Sequence, residues 1–187
     1  MTKKNSVLQD IVIFAFVIVL AFTASMLVRE YFFIVTKVEG ISMNDTLYDK
    51  DIVYIFTAGR IKRGDIVMLE NPNYNPEDEN SHQYFIKRVI GIPNDIVEIK
   101  PDGVYINGQK QDEPYTKGDT VPLAGNGKYE VPAQKYFVMG DNRENSTDSR
   151  FFSFIKKDAI KGKAVLVIRE KKWKFVRSGG RLAYEII

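Results

Sequence analysis

One serine, one lysine and a run of alternating acids and bases have types and spacings suited to chemistry. The serine is Ser42, in Gly40-Ile-Ser42-Met43-Asn-Asp-Thr-Leu47. A serine between a glycine and the start of a new element can present its hydroxyl in a cleft. Its own backbone N–H is then available to an oxyanion. Alone, a Gly-x-Ser tripeptide is as readily a plain turn. The lysine is Lys87, in Tyr84-Phe-Ile-Lys-Arg-Val-Ile-Gly-Ile-Pro93. On a strand, Phe85, Lys87 and Val89 share one face, and Ile86, Arg88 and Ile90 the other. A lysine among apolar neighbours loses water, which disfavours its ammonium and lowers its pKa. The same pattern also fits a lysine that snorkels to solvent. The third segment is Gly140-Asp141-Asn-Arg143-Glu-Asn-Ser146-Thr-Asp148-Ser-Arg150, directly after an apolar strand. It reads either as a solvated loop or as an ion-paired loop folded back to build a site.

Composition narrows the chemistry. The 187 residues contain no cysteine, so disulfides, thiolate metal sites and thiol catalysis are excluded together. The single histidine, His82, ends the polar run that begins at Asn75 and reads as a solvated loop residue. A Ser-His-Asp arrangement would have to use it, and no zinc site can be built on several histidines. No metal or other cofactor is expected. The formal charge of +3 comes from scattered basic residues, not from a basic stripe interleaved with aromatics, so no nucleic-acid partner is expected.

The elements that must position these residues follow from the patterning. Ile11 to Val28 carries no charge and is interrupted only by Thr23 and Ser25. As a helix it spans roughly 27 Å at about 1.5 Å per residue, close to a bilayer core of about 30 Å. Two readings compete: a cleaved leader with Thr23-Ala-Ser25 as its cleavage site, although such leaders have shorter apolar regions, and a buried core helix, which the apolar character all round the segment favours less. Lys3 and Lys4 precede the span and favour the cytoplasmic side. The expected order is a cytoplasmic N-terminus at 1–10, a transmembrane helix at 11–30 and an extracytoplasmic domain at 31–187, with membrane lipid as one partner.

Beyond the span the signals are β. Runs at 51–56, 65–69 and 95–99 are rich in branched residues and each opens with Asp-Ile-Val. Their spacings are unequal, which favours a turn carboxylate before each strand over an internal repeat. Pro101-Asp-Gly103 predicts a tight hairpin into Val104-Tyr-Ile106. Further strands are expected at 136–139, 163–169 and 172–176, with one short helical turn at 158–160. The polar stretches 71–82 and 109–130 read as excursions from one β core. The fold class is therefore mainly β: one N-terminal transmembrane helix, then an antiparallel β-rich domain.

Taken together, Ser42-Met43, Lys87 to Pro93 and Gly140 to Arg150, in this order behind one N-terminal span, resemble the type I signal peptidases, in particular their compact single-span bacterial form. The resemblance runs from about residue 7 to about 170, and the last segment is its most specific motif. It implies a signal-peptidase-like catalytic domain acting on secretory preproteins. Ser42 would be the nucleophile, Lys87 the general base, and Ser146 a hydrogen-bonding partner that orients the lysine. Asp141, Arg143, Asp148 and Arg150 would brace the site, with Arg88 paired to one of the aspartates. Met43, Leu47, Phe85 and Ile86 would line shallow pockets for small substrate residues at −1 and −3. Two positions depart from the family pattern. Asp45 replaces the proline of Ser-Met-x-Pro-Thr-Leu, losing a fixed φ, and Gly40 stands where some members carry a second oxyanion-hole hydroxyl.

A lysine base working near neutrality needs a pKa of roughly 7–8 against about 10.4 when free. The site must therefore disfavour the ammonium by on the order of 4 kcal/mol. Two other functions fit parts of the pattern. A non-catalytic assembly factor of the same build would use the cleft only to bind secreted partners, and Asp45 is its support. A self-cleaving repressor-type Ser/Lys protease would need a DNA-binding segment where this chain has an apolar span.

Overall fold

The computed structural model describes residues 3–122, 126–169, 172–176 and 182–186. Residues 1 and 2 of the expected N-terminal stretch, and 123–125 of the 109–130 excursion, lie outside the described residues. The chain divides into two units, 1–34 and 35–187.

The first unit is helix α1, Lys3–Phe32. It exceeds the expected 11–30 at both ends, because no glycine or proline stands between them to stop it. The most apolar 18-residue window of its segment Val7–Phe32 has a mean hydropathy of 2.9 and is not buried within the protein. At about 1.5 Å per residue it is roughly 39 Å long, enough by length and composition to cross a membrane. The Thr23 hydroxyl donates to the carbonyls of Val19 and Leu20, so this polar side chain is satisfied inside the helix.

The second unit is β. Its strands are β1 Phe33–Lys37 (which begins in the first unit), β2 Ile52–Phe56, β3 Ile66–Glu70, β4 Tyr84–Gly91, β5 Ile96–Lys100, β6 Gly103–Ile106, β7 Gln109–Lys110, β8 Lys128–Glu130, β9 Lys135–Met139, β10 Ile155–Lys156, β11 Ile160–Arg169, β12 Lys172–Val176 and β13 Leu182–Ile186. One short helix, α2, covers Ser149–Phe152, and the turn expected at 158–160 is a 3₁₀ turn at Lys157–Ala159.

The strands form two antiparallel sheets rather than one. The larger has the order β1-β2-β11-β3-β4-β9-β10, with β12 and β13 continuing from β11; the smaller is β7-β6-β5-β8. β4 and β9 carry one set of side chains into each of two cores. Val89 and Val138 meet Val67, Leu69 and Ile155. Ile90, Phe137 and Met139 meet Val97, Ile99, Val104 and Ile106 of the smaller sheet. Strands buried on both faces read as continuous apolar runs, as β9 does.

The three Asp-Ile-Val openings share one geometry. Asp51, Asp65 and Asp95 are all buried. Each accepts the N–H of the residue three before it: Tyr48, Lys62 and Ile92. The carboxylates close the turns that launch β2, β3 and β5, the side-chain capping that aspartate favours in turns. The hairpin at 101–102 pairs Lys100 with Gly103.

Two registers position the site. β4 lies between β3 and β9, with Lys87 opposite Val67 and Arg88 opposite Met139. The chain leaves β9 directly beside Arg88 and enters the 140–150 loop.

Candidate active site

Ser42 begins a tight turn in which the N–H groups of Thr46 and Leu47 both donate to the Met43 carbonyl. Buried Met43 and Leu47 pin this turn to the core. The 140–150 loop holds it from the other side. The Asn142 backbone N–H donates to the Ser42 carbonyl at 3.0 Å, and its side-chain amide donates to the Ile41 carbonyl. Among the described residues the Ser42 N–H itself donates to no backbone or side-chain acceptor.

Lys87 is 3% exposed, and its Nζ lies 2.7 Å from Ser42 Oγ. That distance serves an ammonium donating to the hydroxyl or a neutral amine accepting from it. The Ile86 carbonyl is a second contact at 3.2 Å, and the Phe85 ring centroid is 4.9 Å away. Burial pushes the Lys87 pKa down to about 8, while the negative charges of Asp148 and Asp141 work in the opposite direction.

Both aspartates are held by arginines. Arg88 Nε and Nη2 donate to the two oxygens of Asp141 at 2.8 and 2.6 Å, and the Thr46 hydroxyl donates to the same carboxylate. Arg150 grips Asp148 at 2.8 and 2.9 Å, and Asp148 also accepts the Gly140 N–H. Arg88, Asp141, Asp148 and Arg150 are all 2% exposed or less. Such pairs are stable in a low-dielectric interior only when every lone pair and proton is met, as most are here.

Arg143 braces the site through a different partner. Its guanidinium forks onto Glu113 at 3.0 and 2.7 Å and also donates to Thr120. Tyr115 of the same excursion stacks on Arg88, with Cζ 3.8 Å from the ring centroid. Glu113, Tyr115 and Thr46 are site-building residues that the sequence reading missed. The only signal for Glu113 and Tyr115 was a glutamate and an aromatic ring inside an otherwise polar excursion, whereas Thr46 stood in the Ser42 segment itself.

Two expectations need correction, and a third gains a detail. Ser146 makes no hydrogen bond to Lys87: among the described residues its buried Oγ has no partner, and the lysine meets Ser42 and Ile86 instead. Leu47 does not line the cleft, because the turn rotates it fully into the core. His82 is exposed as expected, yet it stands on the cleft wall, with Nδ1 3.0 Å from Glu39 Oε2.

The cleft has a volume of about 430 Å³ and runs from Ser42 and Lys87 between residues 36–41 and 82–86. Met43, Phe85 and Ile86 line it. Among the described residues no cluster of histidine, cysteine, aspartate or glutamate is arranged to hold a metal ion. Asp45, at the position that departs from the family pattern, is exposed and pairs with Lys117 at 3.2 Å.

Residues 9–169 match the model of the family described as signal peptidase, peptidase S26. The chain is 39% identical over 160 residues to signal peptidase I of Bacillus licheniformis, covering 79% of this chain and 80% of that protein. It is 39% identical over 162 residues to signal peptidase I S of Bacillus subtilis strain 168, covering 80% and 81%. A crystal structure of a signal peptidase I from Enterococcus faecalis V583 aligns with a TM-score of 0.45 at 30% identity, covering 56% of this chain and 97% of that one. With most of its length matched, the chain belongs to the signal peptidase family, peptidase S26.

Proposed function

We propose that the chain is a membrane-anchored serine endopeptidase that removes signal peptides from secreted preproteins. It cleaves after small residues at −3 and −1, with Ser42 as nucleophile and Lys87 as general base. The observation that carries this reading is the 2.7 Å contact between Ser42 Oγ and a lysine amine buried on β4. A buried lysine with its pKa near 8 has a substantial neutral fraction at mildly alkaline pH.

The chemistry is acyl transfer. Neutral Lys87 takes the Ser42 hydroxyl proton as Oγ bonds to the carbonyl carbon of the −1 residue. The carbonyl oxygen gains the negative charge, and the Ser42 N–H is one donor for it. Collapse of this intermediate breaks the C–N bond, and the Lys87 ammonium gives its proton to the leaving amine. Water, deprotonated by the same lysine, then attacks the acyl carbon; the ester C–O bond breaks, the carboxylic acid product leaves, and the ammonium returns its proton to Ser42 Oγ. Asp141 and Asp148, each neutralised by its arginine, hold the loop against the Ser42 turn without reversing the effect of burial on the lysine. Met43, Phe85 and Ile86 bound the cleft beside the dyad, and shallow pockets there fit small −1 and −3 side chains.

Helix α1 would anchor the enzyme, with residues 1–10 cytoplasmic and the domain of 31–187 outside. The test is incubation of the purified protein with a model preprotein, followed by sequencing of the new N-terminus. One cut after the small −1 residue, lost in both Ser42→Ala and Lys87→Ala with the fold retained, is the expected result. Normal processing by Lys87→Ala would place the base elsewhere.

A further inference from the structure

The excursion between β7 and β8 returns across the site. Glu113 takes the forked bond of Arg143, and its carboxylate also accepts the Tyr115 hydroxyl. The Tyr115 ring covers the Arg88 guanidinium. At Lys117 the backbone joins the catalytic loop directly. Its N–H donates to the Asp141 carbonyl, and its carbonyl accepts the Arg143 N–H, both at 2.8 Å. The Lys117 amine pairs with Asp45 of the Ser42 turn, and the Asp119 N–H donates to Glu144. One polar stretch thus touches the strand carrying Lys87, the loop carrying Asp141, and the turn carrying Ser42.

We propose that residues 113–120 form a positioning strap for the base, in which Tyr115 holds Arg88 on Asp141 and so keeps Asp141 neutralised beside Lys87. The inference rests on Lys87 being the base. Tyr115 is a positioning residue: it touches Arg88, and Arg88 touches Asp141. The charges around the lysine leave few other controls. Asp148 is closed off by Arg150, and Arg143 by Glu113. Lys117 is paired with Asp45, and His82 pairs with Glu39 on the cleft wall. Among the described residues, the Arg88–Asp141 pair is the one whose arginine is next to Lys87 along the strand and covered by an aromatic face. Removing that face admits water, loosens Arg88 and leaves Asp141 less compensated. Each of these changes stabilises the Lys87 ammonium, so all push its titration the same way.

The test is a set of Tyr115 variants in the full-length protein. Tyr115→Leu and Tyr115→Met remove the ring, while Tyr115→Phe keeps it and loses only the hydroxyl. In whichever removal variants fold, Lys87 is titrated directly by NMR of its labelled side chain, and the pH dependence of preprotein cleavage is measured alongside. The expected result is a Lys87 midpoint raised by about half a unit to one unit. At pH 7, kcat should fall roughly three- to tenfold, KM should change little, and raising the pH should restore the rate. Tyr115→Phe, which keeps the ring over Arg88, should leave the Lys87 midpoint near the parent's. A folded removal variant whose Lys87 midpoint is unchanged overturns the strap. If the midpoint moves as expected while the cleavage profile does not, the strap stands and Lys87 is not the base.

Discussion

The Lys87 amine governs two observables with one titration. Its pKa falls from the ordinary value of 10.5 to about 8 because burial removes water from the ammonium, against the pull of Asp148 and Asp141. On the proposed mechanism the neutral form is the active one, so the acid limb of kcat/KM should lie near pH 8 and should not move in His82→Ala. A limb near 6.5 that disappears with His82 would transfer the base role to the imidazole. Stability follows the opposite form. The folded state binds the proton less tightly than the unfolded chain does, so charging Lys87 destabilises the fold. That penalty is fully present below about pH 8 and is relieved as pH rises from about 8 toward 10.5. At about 1.36 kcal/mol per unit, it amounts to about 3 kcal/mol. Lys87→Met should therefore be inactive yet more stable than the parent at pH 7, with the gap closing by pH 10.5. Denaturant unfolding at the two pH values checks this, and a destabilised variant at pH 7 would show that the lysine contributes more packing than its charge removes.

At the scale of single elements, the 140–150 loop does most of the positioning. It leaves β9 at Gly140, which has no room for a side chain. A methyl group there would collide with the Ser146 hydroxyl and the Ser42 carbonyl oxygen. Gly140→Ala should part the loop from the serine turn, removing the Asn142 bond to the Ser42 carbonyl without touching either reacting group. Overpacking of this kind costs about 1–3 kcal/mol, and a displacement of about 1 Å at a reacting centre can cost about 100-fold in rate. The expected variant is folded, lower in Tm and at least about 100-fold slower in preprotein cleavage; near-normal cleavage would mean the loop does not set the serine's position. Much of this region was legible in the sequence. The density of Asp and Arg after an apolar strand gave an ion-paired loop as one of two readings, and the turn carboxylates of β2, β3 and β5 were visible in the Asp-Ile-Val openings. The pairing of Arg143 with Glu113 was not. Which acid meets a given arginine depends on how the chain returns thirty residues away, and local pattern carries no trace of that. Ser146 was misread for a related reason: hydroxyl direction depends on rotamer and neighbours, not on position in a motif.

Over the whole molecule, the apolar span and the β character were legible because the first is an unbroken apolar run and the second a set of short runs rich in branched residues. The division into two sheets was not. A strand buried on both faces, such as β9, reads alike whether its second face meets a helix, a loop or another sheet. The β domain has its own cores, formed by residues of the larger sheet and by its contact with the smaller. None of those core residues comes from α1. Deleting residues 1–30 should therefore release a domain that folds and cleaves a short soluble peptide at the parent's rate. On preprotein embedded in bilayers the outcome should differ. The substrate's own apolar helix stays in the membrane, and an anchored enzyme meets the cleavage site at the surface, in two dimensions. Linking two partners to a common support raises their effective concentration without any new contact. The truncated form should be slower by at least about tenfold on vesicles containing preprotein, and adding more enzyme should recover the rate. Equal rates for the two forms on the same vesicles would mean that α1 contributes nothing to encounter, and that the cleft alone selects the substrate.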